Sequence, residues 1–253
     1  MGLRVRIVFL TTDDRIYLPA FYERVLAEYG AQTAEVCVVP PLYKGQTTSR
    51  AAWRYYQTFG LDGVRGLATR LAQAKVRGRS IEAVCKLHEV RCTFVADVNA
   101  PAFLEHLRDL GTDLLVSVSC PQIFKRDLID LPELGCLNIH GAALPLYRGV
   151  MPSFWMLANG EHEAGVSIYF VNEKIDAGEL CGQRIFAIEP HETLDAFLRR
   201  SKAIAADLLI EVLGKLEGGE LSREALDLSQ GSYYSWPDPD AVRRFRAAGR
   251  RLW

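Results

Sequence analysis

Three residues of this sequence have types and spacing that suit acyl-group chemistry: an amide, an imidazole and a carboxylate. Asn138 and His140 lie two residues apart, so in a strand their side chains point to the same face. Asp176 follows in the segment VNEKIDAGEL, in a turn before Gly178. An amide can donate to a developing oxyanion, an imidazole can stabilise that charge or move a proton, and a carboxylate can orient the imidazole. The set has no serine or cysteine nucleophile, which favours direct attack by a substrate amine.

Each of these residues also has a purely structural interpretation. A single histidine near a strand end is often hydrogen-bonded in a structural role, and aspartate before a glycine is common in turns. The prediction of catalysis therefore depends on finding all three side chains at neighbouring strand ends. Gly141 and Pro145 follow the histidine and mark a loop there.

The elements that must position these residues are strands alternating with helices. This alternation predicts a Rossmann-like, doubly wound α/β domain with a mostly parallel sheet. The predicted strands span residues 3–10, 34–39, 90–95, 113–119, 135–140, 166–171 and 180–188, and the main helices span 18–29, 100–110 and 194–216. Active sites in open α/β sheets lie at the carboxyl ends of strands, which is where Asn138 and His140 fall.

The segment at residues 43–89 interrupts this alternation, and it is too long for an ordinary connection between two elements. They contain helical patterns at 53–59 and 64–76. Residues 41–90 carry nine Lys or Arg against three Asp or Glu, a net charge of +6 that leaves −7 for the rest of the chain. The basic insertion is either a solvated helical surface or a site for an anion such as a phosphate or diphosphate.

We predict two regions: a catalytic domain at 1–217 that contains the insertion, and a C-terminal extension at 218–253. The extension has a short aromatic strand, a Pro-Asp-Pro break and a basic helix. It is shorter than independent domains usually are, so we expect it to pack on the main domain.

Composition excludes several classes of protein. The 253 residues contain no apolar run long enough to cross a bilayer, and a net charge of −1 gives no overall attraction to nucleic acid. The six cysteines have no metal-ligand spacing, so we expect reduced thiols, no metal and a cytoplasmic location. The first strand leads into TTDD without glycines, which makes NAD binding unlikely on sequence grounds.

The segments NIHGAALPLYRG and GVSIYFVNEKIDAG together resemble the folate-dependent formyltransferase family. The family's Asn-x-His and Asp-x-Gly motifs fall on Asn138, His140 and Asp176, and the similarity runs over about residues 113–211. The resemblance implies the formyltransferase fold, 10-formyltetrahydrofolate as the donor, and formyl transfer to an amine. Asn138 and His140 would hold the oxyanion of a tetrahedral intermediate, and Asp176 would pair with His140 and help to relay the proton.

The resemblance also implies a donor cleft between two loops. Its predicted lining is Pro121, Gln122, Ile123 and Phe124 on one loop and Val171, Asn172, Glu173 and Ile175 on the other. An apolar wall with backbone hydrogen bonds suits a flat pterin. The alternative is that Ile123 and Phe124 belong to the core.

The acceptor is expected to be a small-molecule amine, and we predict a nucleotide-linked amino sugar. Ala142 and Ala143 replace the Ser and Leu of the family's SLLP stretch, and TTDD replaces the glycine-rich phosphate loop of the ribonucleotide enzymes. Because the tail is short, we do not expect the further domain of the tRNA enzymes, which argues against tRNA as the acceptor. The alternatives are a methionyl-tRNA formyltransferase-like enzyme, a formyltetrahydrofolate hydrolase and a folate-binding protein. No membrane partner is expected, and a homodimer is the favoured assembly.

Overall fold

Nine strands and eight α-helices make up the part of the chain that the computed structural model describes, residues 5–40 and 47–253. The strands are β1 (Ile7–Thr12), β2 (Thr33–Val39), β3 (Arg91–Phe94), β4 (Leu114–Val118), β5 (Cys136–His140), β6 (Arg148–Gly149), β7 (Glu163–Phe170), β8 (Leu180–Ala187) and β9 (Tyr233–Tyr234). The helices are α1 (Leu18–Tyr29), α2 (Thr48–Val76), α3 (Ile81–Leu87), α4 (Pro101–Asp109), α5 (Arg126–Ile129), α6 (Pro152–Ala158), α7 (Leu194–Glu217) and α8 (Pro239–Ala247).

The central sheet has the strand order β3-β2-β1-β4-β5-β7-β8. Its first five strands run parallel, whereas β7 and β8 are antiparallel to their neighbours. Helices α1 and α7 pack on one face and α4 on the other, so apolar side chains are buried on both sides of the sheet. The predicted doubly wound, mostly parallel α/β fold is confirmed.

The first strand differs from its prediction at both ends. It was expected at residues 3–10, but it spans Ile7–Thr12, and residues 3 and 4 lie outside the described part of the chain. Polar Thr11 is fully buried in the strand because its hydroxyl donates to the Val118 carbonyl at 2.9 Å. Such a tertiary hydrogen bond cannot be predicted from the hydropathy pattern.

The basic insertion contains two helical stretches joined at Gly60. The residue has φ 72° and ψ −169°, a left-handed conformation that suits glycine, and it separates the predicted patterns at 53–59 and 64–76 within α2. Residues 43–46 of the predicted insertion lie outside the described part. Gly66 packs directly on the C-terminus, since a Cβ there would lie 2.0 Å from the Trp253 indole nitrogen.

The C-terminal segment packs on the insertion and on the main sheet domain. The Phe154 ring of α6 lies 5.7 Å from the Phe59 ring of α2 and 5.0 Å from the Phe245 ring of α8. All three side chains are buried. Strand β9 pairs in parallel with β6 in a separate two-stranded sheet. Within residues 5–40 and 47–253, no helix is both long and apolar enough to cross a bilayer.

Candidate functional site

The candidate site lies where the central sheet changes from parallel to antiparallel pairing. Strand β5 pairs with parallel β4 on one side and with antiparallel β7 on the other. Asn138 lies opposite Tyr169 in this pairing, and His140 lies opposite Ser167. The two-residue spacing therefore places Asn138 and His140 on one face at the carboxyl end of the strand, as the sequence predicts.

Asp176 reaches this strand end from the turn after β7. Its backbone has φ 48°, and its side chain is buried. The Tyr169 hydroxyl donates to Asp176 Oδ1 at 2.8 Å, and the Gly149 backbone N–H donates to Oδ2 at 2.7 Å. Both carboxylate oxygens are hydrogen-bonded, so the side chain is fixed in position beside the imidazole.

Tyr169 connects the amide to the carboxylate. Burial and the nearby negative charge of Asp176 raise the pKa of the Tyr169 phenol well above its usual value, so the hydroxyl stays protonated. Because its hydrogen is donated to Asp176, the phenol oxygen accepts from Asn138 Nδ2 at 3.0 Å. This bond fixes the amide orientation and leaves one hydrogen of the Asn138 amino group for another acceptor.

His140 is held between a backbone carbonyl and the carboxylate. Its Nε2 lies 2.8 Å from the Tyr147 carbonyl oxygen, and its Nδ1 lies 3.6 Å from Asp176 Oδ1. A carbonyl oxygen can only accept, so we assign the hydrogen of the neutral ring to Nε2. Nδ1 then carries the lone pair and can take up a proton beside a carboxylate.

Strained backbone surrounds the three side chains. Five non-glycine residues in the described chain have positive φ, and four of them border this site: Ser119, Tyr147, Met151 and Asp176. Left-handed conformations cost about 1 kcal/mol or more at such residues and persist where tertiary contacts hold them. Strain of this kind is concentrated at functional sites.

Two cavities meet at Asn138 and Asp176, and His140 lines the second of them. The first cavity, of about 300 Å³, is lined by all eight residues of the predicted donor cleft, namely Pro121, Gln122, Ile123, Phe124, Val171, Asn172, Glu173 and Ile175. Asn138 and Asp176 lie on its wall, and Tyr233 from β9 completes it. Ile123 is 69% exposed, so it belongs to the cavity mouth and not to the core.

The second cavity, of about 420 Å³, contains His140 and shares Asn138, Gly149 and Asp176 with the first. Asp14 gives it a second carboxylate beside that of Asp176, and Lys202 gives it an ammonium group. The Lys202 ammonium donates to the Ser119 hydroxyl at 2.8 Å. Desolvation lowers the pKa of Lys202, and the nearby Asp14 charge partly opposes this shift.

A third cavity adjoins the second and is rich in cations. It shares Tyr17 and Lys202 with the second cavity and adds three arginines, Arg24, Arg79 and Arg199. Arg24 pairs with Asp207, and Arg199 pairs with Asp195. Among the described residues, no carboxylate pairs with the Arg79 guanidinium, which comes from the predicted basic insertion.

Metal coordination has no support in residues 5–40 and 47–253, where no three His, Cys, Asp or Glu side chains form a ligand group. The six cysteines are unpaired, and Cys37, Cys85, Cys136 and Cys181 are buried. Burial raises the pKa of the Cys37 thiol to about 12 and that of Cys120 to about 11. The raised pKa values leave the Cys37 and Cys120 thiols protonated near neutral pH and therefore poor nucleophiles.

Sequence reasoning missed several residues that border the site. Tyr169 bridges Asn138 and Asp176, and its position opposite Asn138 follows only from the pairing of β5 with β7. Lys202 comes from a distant segment, and no local pattern marks it. Tyr233 had one local signal, the two adjacent tyrosines of the extension, which the sequence assigned only to a short strand. Of these two, Tyr233 is exposed and Tyr234 is half-buried.

A protein-family model described as "Formyl transferase" matches residues 67–213 of this chain. The methionyl-tRNA formyltransferase of Thermotoga sp. (strain RQ2) is 35% identical over 175 residues, which cover 67% of this chain and 56% of that protein. The match therefore spans little more than half the length of that curated relative.

Solved structures with the same fold come from two kinds of enzyme. An N-formyltransferase from Helicobacter canadensis, in complex with folinic acid and dTDP-3-aminofucose, aligns with TM-score 0.59 and 16% identity, over 91% of this chain and 71% of that one. Glycinamide ribonucleotide transformylase 1 from Symbiobacterium toebii aligns with TM-score 0.61 and 17% identity, over 88% and 94% of the two chains. At these identities the similarity shows a common fold.

Proposed function

Because this chain belongs to the formyl transferase family, we propose that it transfers a formyl group from 10-formyltetrahydrofolate to a primary amine. The observation that carries this proposal is the meeting of two cavities at Asn138 and Asp176, with His140 on the wall of the second cavity. A group-transfer enzyme needs a donor and an acceptor on either side of its catalytic groups, and the shared wall provides this arrangement.

The first cavity suits the folate donor. Ile123 and Ile175 are exposed at its mouth, with Phe124 and Val171 behind them, so a flat heterocycle can be enclosed between apolar side chains. The side-chain amides of Gln122 and Asn172 are hydrogen-bonded to backbone groups of the protein, so we assign the polar contacts to backbone groups of the same two loops. The donor supplies the formyl carbon.

The proposed mechanism uses each group of the site. The acceptor nitrogen bonds to the formyl carbon, and the free N–H of Asn138 donates to the oxygen as it becomes negative. His140 Nδ1 takes the proton that the amine loses, and Asp176 stabilises the resulting imidazolium. The bond from the formyl carbon to the donor nitrogen then breaks, and this nitrogen receives the proton.

This assignment gives His140 the proton-transfer role that the sequence left open beside an oxyanion role. Its Nε2–H is already donated to the Tyr147 carbonyl, so holding the oxyanion through Nε2 would require that bond to break. The amide is better placed for the oxyanion because one of its hydrogens has no acceptor among its described contacts.

We further propose that the acceptor is a nucleotide-linked amino sugar. Asp14 in the second cavity can orient a cationic amine, while Arg79, Arg199 and Lys202 in the adjoining third cavity provide charge for a diphosphate. The similar Helicobacter canadensis enzyme was solved with dTDP-3-aminofucose, which has this chemistry.

Methionyl-tRNA is the second candidate acceptor. The 35% identical relative is a methionyl-tRNA formyltransferase, and the same cations could contact RNA phosphates.

We also propose, as expectations to be tested, a cytoplasmic location, a homodimer, and the division into a catalytic domain at 1–217 and an extension at 218–253.

The test is to follow conversion of 10-formyltetrahydrofolate to tetrahydrofolate with pooled nucleotide-linked amino sugars, with initiator tRNA, and without acceptor. We expect turnover with the sugars only, and loss of turnover in His140→Ala. Turnover with tRNA alone would select the second candidate. Consumption that needs no acceptor would indicate a hydrolase, and donor binding without turnover would indicate a folate-binding protein.

A further inference from the structure

Three backbone amides of the loop after β5 donate to the C-terminal extension. The Tyr147 N–H donates to Ser232 Oγ at 2.8 Å, and the Arg148 N–H donates to the Ser232 carbonyl at 3.0 Å. The Val150 N–H donates to the Tyr234 carbonyl at 2.8 Å. Of the four consecutive backbone amides at 147–150, only that of Gly149 donates to an acceptor outside the extension.

The same loop contacts both titratable side chains of the site through its backbone. The N–H of Gly149, the remaining amide, donates to Asp176 Oδ2 at 2.7 Å. The carbonyl of Tyr147 accepts from His140 Nε2 at 2.8 Å. The loop therefore connects the extension to the imidazole and to the carboxylate, because it is hydrogen-bonded to all three. A shift of the loop would displace both catalytic side chains.

The loop conformation depends on this contact. Tyr147 has φ 56°, which L-residues rarely adopt, and its N–H is satisfied by Ser232. Gly149 has φ 96°, and a Cβ there would lie 2.2 Å from the Tyr234 carbonyl oxygen. The rings of Tyr147 and Tyr234 stack with centroids 5.1 Å apart. Close backbone approach and ring stacking together fix the loop against β9.

The extension also contributes to the first cavity. Tyr233 lines this cavity, and its side chain is 55% exposed, so the ring is available to a ligand there. The Arg148 guanidinium lies 6.0 Å from the centre of that ring. Tyr233, which lies between the hydrogen-bonding residues Ser232 and Tyr234, is therefore directed to the cavity proposed for the donor.

We propose that the segment Ser232 to Tyr234 is part of the active site. Ser232 and Tyr234 are positioning residues that hold the loop 147–150 against His140 and Asp176, and Tyr233 forms a wall for the folate donor. The kinetic part of this inference rests on the proposed function. Its structural part, the restraint of the loop by the extension, does not.

The experiment compares two substitutions with a matched control. Ser232→Ala removes the acceptor for the Tyr147 N–H, and Tyr233→Ala removes the cavity wall. Ser235→Ala is the control, because this exposed serine contacts Trp155 through its backbone carbonyl and not through its hydroxyl. Ser232→Thr restores a hydroxyl acceptor at the first position.

We expect Ser232→Ala to lower kcat roughly 10- to 100-fold, since small displacements of catalytic groups have effects of this size, with little change in donor KM. Ser232→Thr should recover most of the lost kcat. Tyr233→Ala should raise donor KM several-fold and leave kcat nearly unchanged. Ser235→Ala should match the wild-type protein. Wild-type kcat in Ser232→Ala, or wild-type donor KM in Tyr233→Ala, would overturn the corresponding role.

Amide hydrogen exchange provides a readout that does not need turnover. Ser232→Ala should accelerate exchange at residues 147–150, whereas Ser235→Ala should not. If the wild-type protein transfers no formyl group to any acceptor, the proposed function fails, and the exchange rates alone decide whether the extension restrains the loop. Unchanged exchange in Ser232→Ala would refute the restraint. If that variant does not fold, the surface substitution Tyr233→Ala still tests the donor wall.

Discussion

At the scale of single residues, the site is a chain of hydrogen bonds. In this chain, the donor and acceptor of each bond follow from those of the neighbouring bond. The Asp176 carboxylate only accepts, which fixes the hydrogen of Tyr169, and the Tyr169 oxygen in turn fixes the Asn138 amide. The Tyr147 carbonyl fixes the hydrogen of His140 in the same way. One hydrogen on the amide and one lone pair on the imidazole therefore stay available for chemistry.

Replacement of Asp176 by asparagine tests this chain. The variant keeps the shape but loses the charge that stabilises the imidazolium, so we expect kcat to fall roughly 100- to 10,000-fold. Steady-state formyl transfer measures the loss. Asp130→Asn, which removes an exposed carboxylate that pairs with Arg126 at the surface, is the control and should retain activity. Equal activity in the two variants would remove Asp176 from the mechanism.

The lowered pKa of Lys202 predicts a pH dependence. Desolvation disfavours the ammonium form, so this group loses its charge at a lower pH than the usual lysine value of about 10.4. Acceptor binding that uses the charge is then fully present below the lowered pKa and declines as pH rises through it.

The measurement is acceptor KM from pH 7 to pH 10. KM should rise toward alkaline pH in the wild-type protein and stay flatter in Lys202→Arg, whose guanidinium remains protonated. Asp14 is the carboxylate that faces this group, and burial raises its pKa, while hydrogen bonds from the Tyr17 and Ile16 backbone N–H groups partly oppose that shift. Parallel pH profiles for the two proteins would show that Lys202 does not contact the acceptor.

At the scale of elements, the described part of the basic insertion, residues 47–89, brings Arg79 to the third cavity without a described carboxylate partner. On α2, Arg50, Arg65 and Lys75 are exposed, as expected for a solvated surface, whereas Arg54 lies over the Trp236 ring and Arg70 pairs with Asp195. Arg79, which follows α2, lines the third cavity. The two interpretations of the insertion's charge therefore apply to different residues: the helix is largely a solvated surface, while the segment after it borders the proposed acceptor site.

Arg79→Ala should raise acceptor KM at least several-fold for a nucleotide-linked amine, because a charge-assisted contact to a diphosphate is lost. Donor KM should not change. Arg65→Ala, at an exposed position of α2, is the control for a general loss of positive charge. Initial-rate kinetics with each substrate varied in turn distinguish the effects. An equal rise in both variants would indicate long-range attraction and not a binding contact.

At the scale of the whole molecule, the insertion, the sheet domain and the extension share one apolar cluster. Phe59, Phe154 and Phe245 come from these three regions, and all are buried in it. Shared burial of this kind predicts that the regions unfold together.

Phe154→Ala removes the ring at the centre of this cluster. We expect it to lower the free energy of unfolding by about 3–5 kcal/mol through lost burial and an unfilled cavity. Urea denaturation measures the change, and Phe94→Ala is the control because that ring is 70% exposed. A single transition is expected in the wild-type protein. Two separate transitions would show that the extension or the insertion folds independently.

The sequence by itself determined the alternation of strands and helices, because buried strands and amphipathic helices each leave a local hydropathy pattern. It also determined the catalytic candidates on β5 and the residues of the first cavity, since the same motifs carried the family resemblance. These features depend on residues close together in the chain.

Tertiary structure alone decided which distant groups complete the site. Tyr169 reaches Asn138 through antiparallel pairing, Lys202 enters from α7, and Ser232 holds a loop 85 residues earlier in the chain. No local pattern marks such contacts, because each arises where separate elements pack together. Whether a polar side chain is a surface group or part of a site depends on what the fold places beside it.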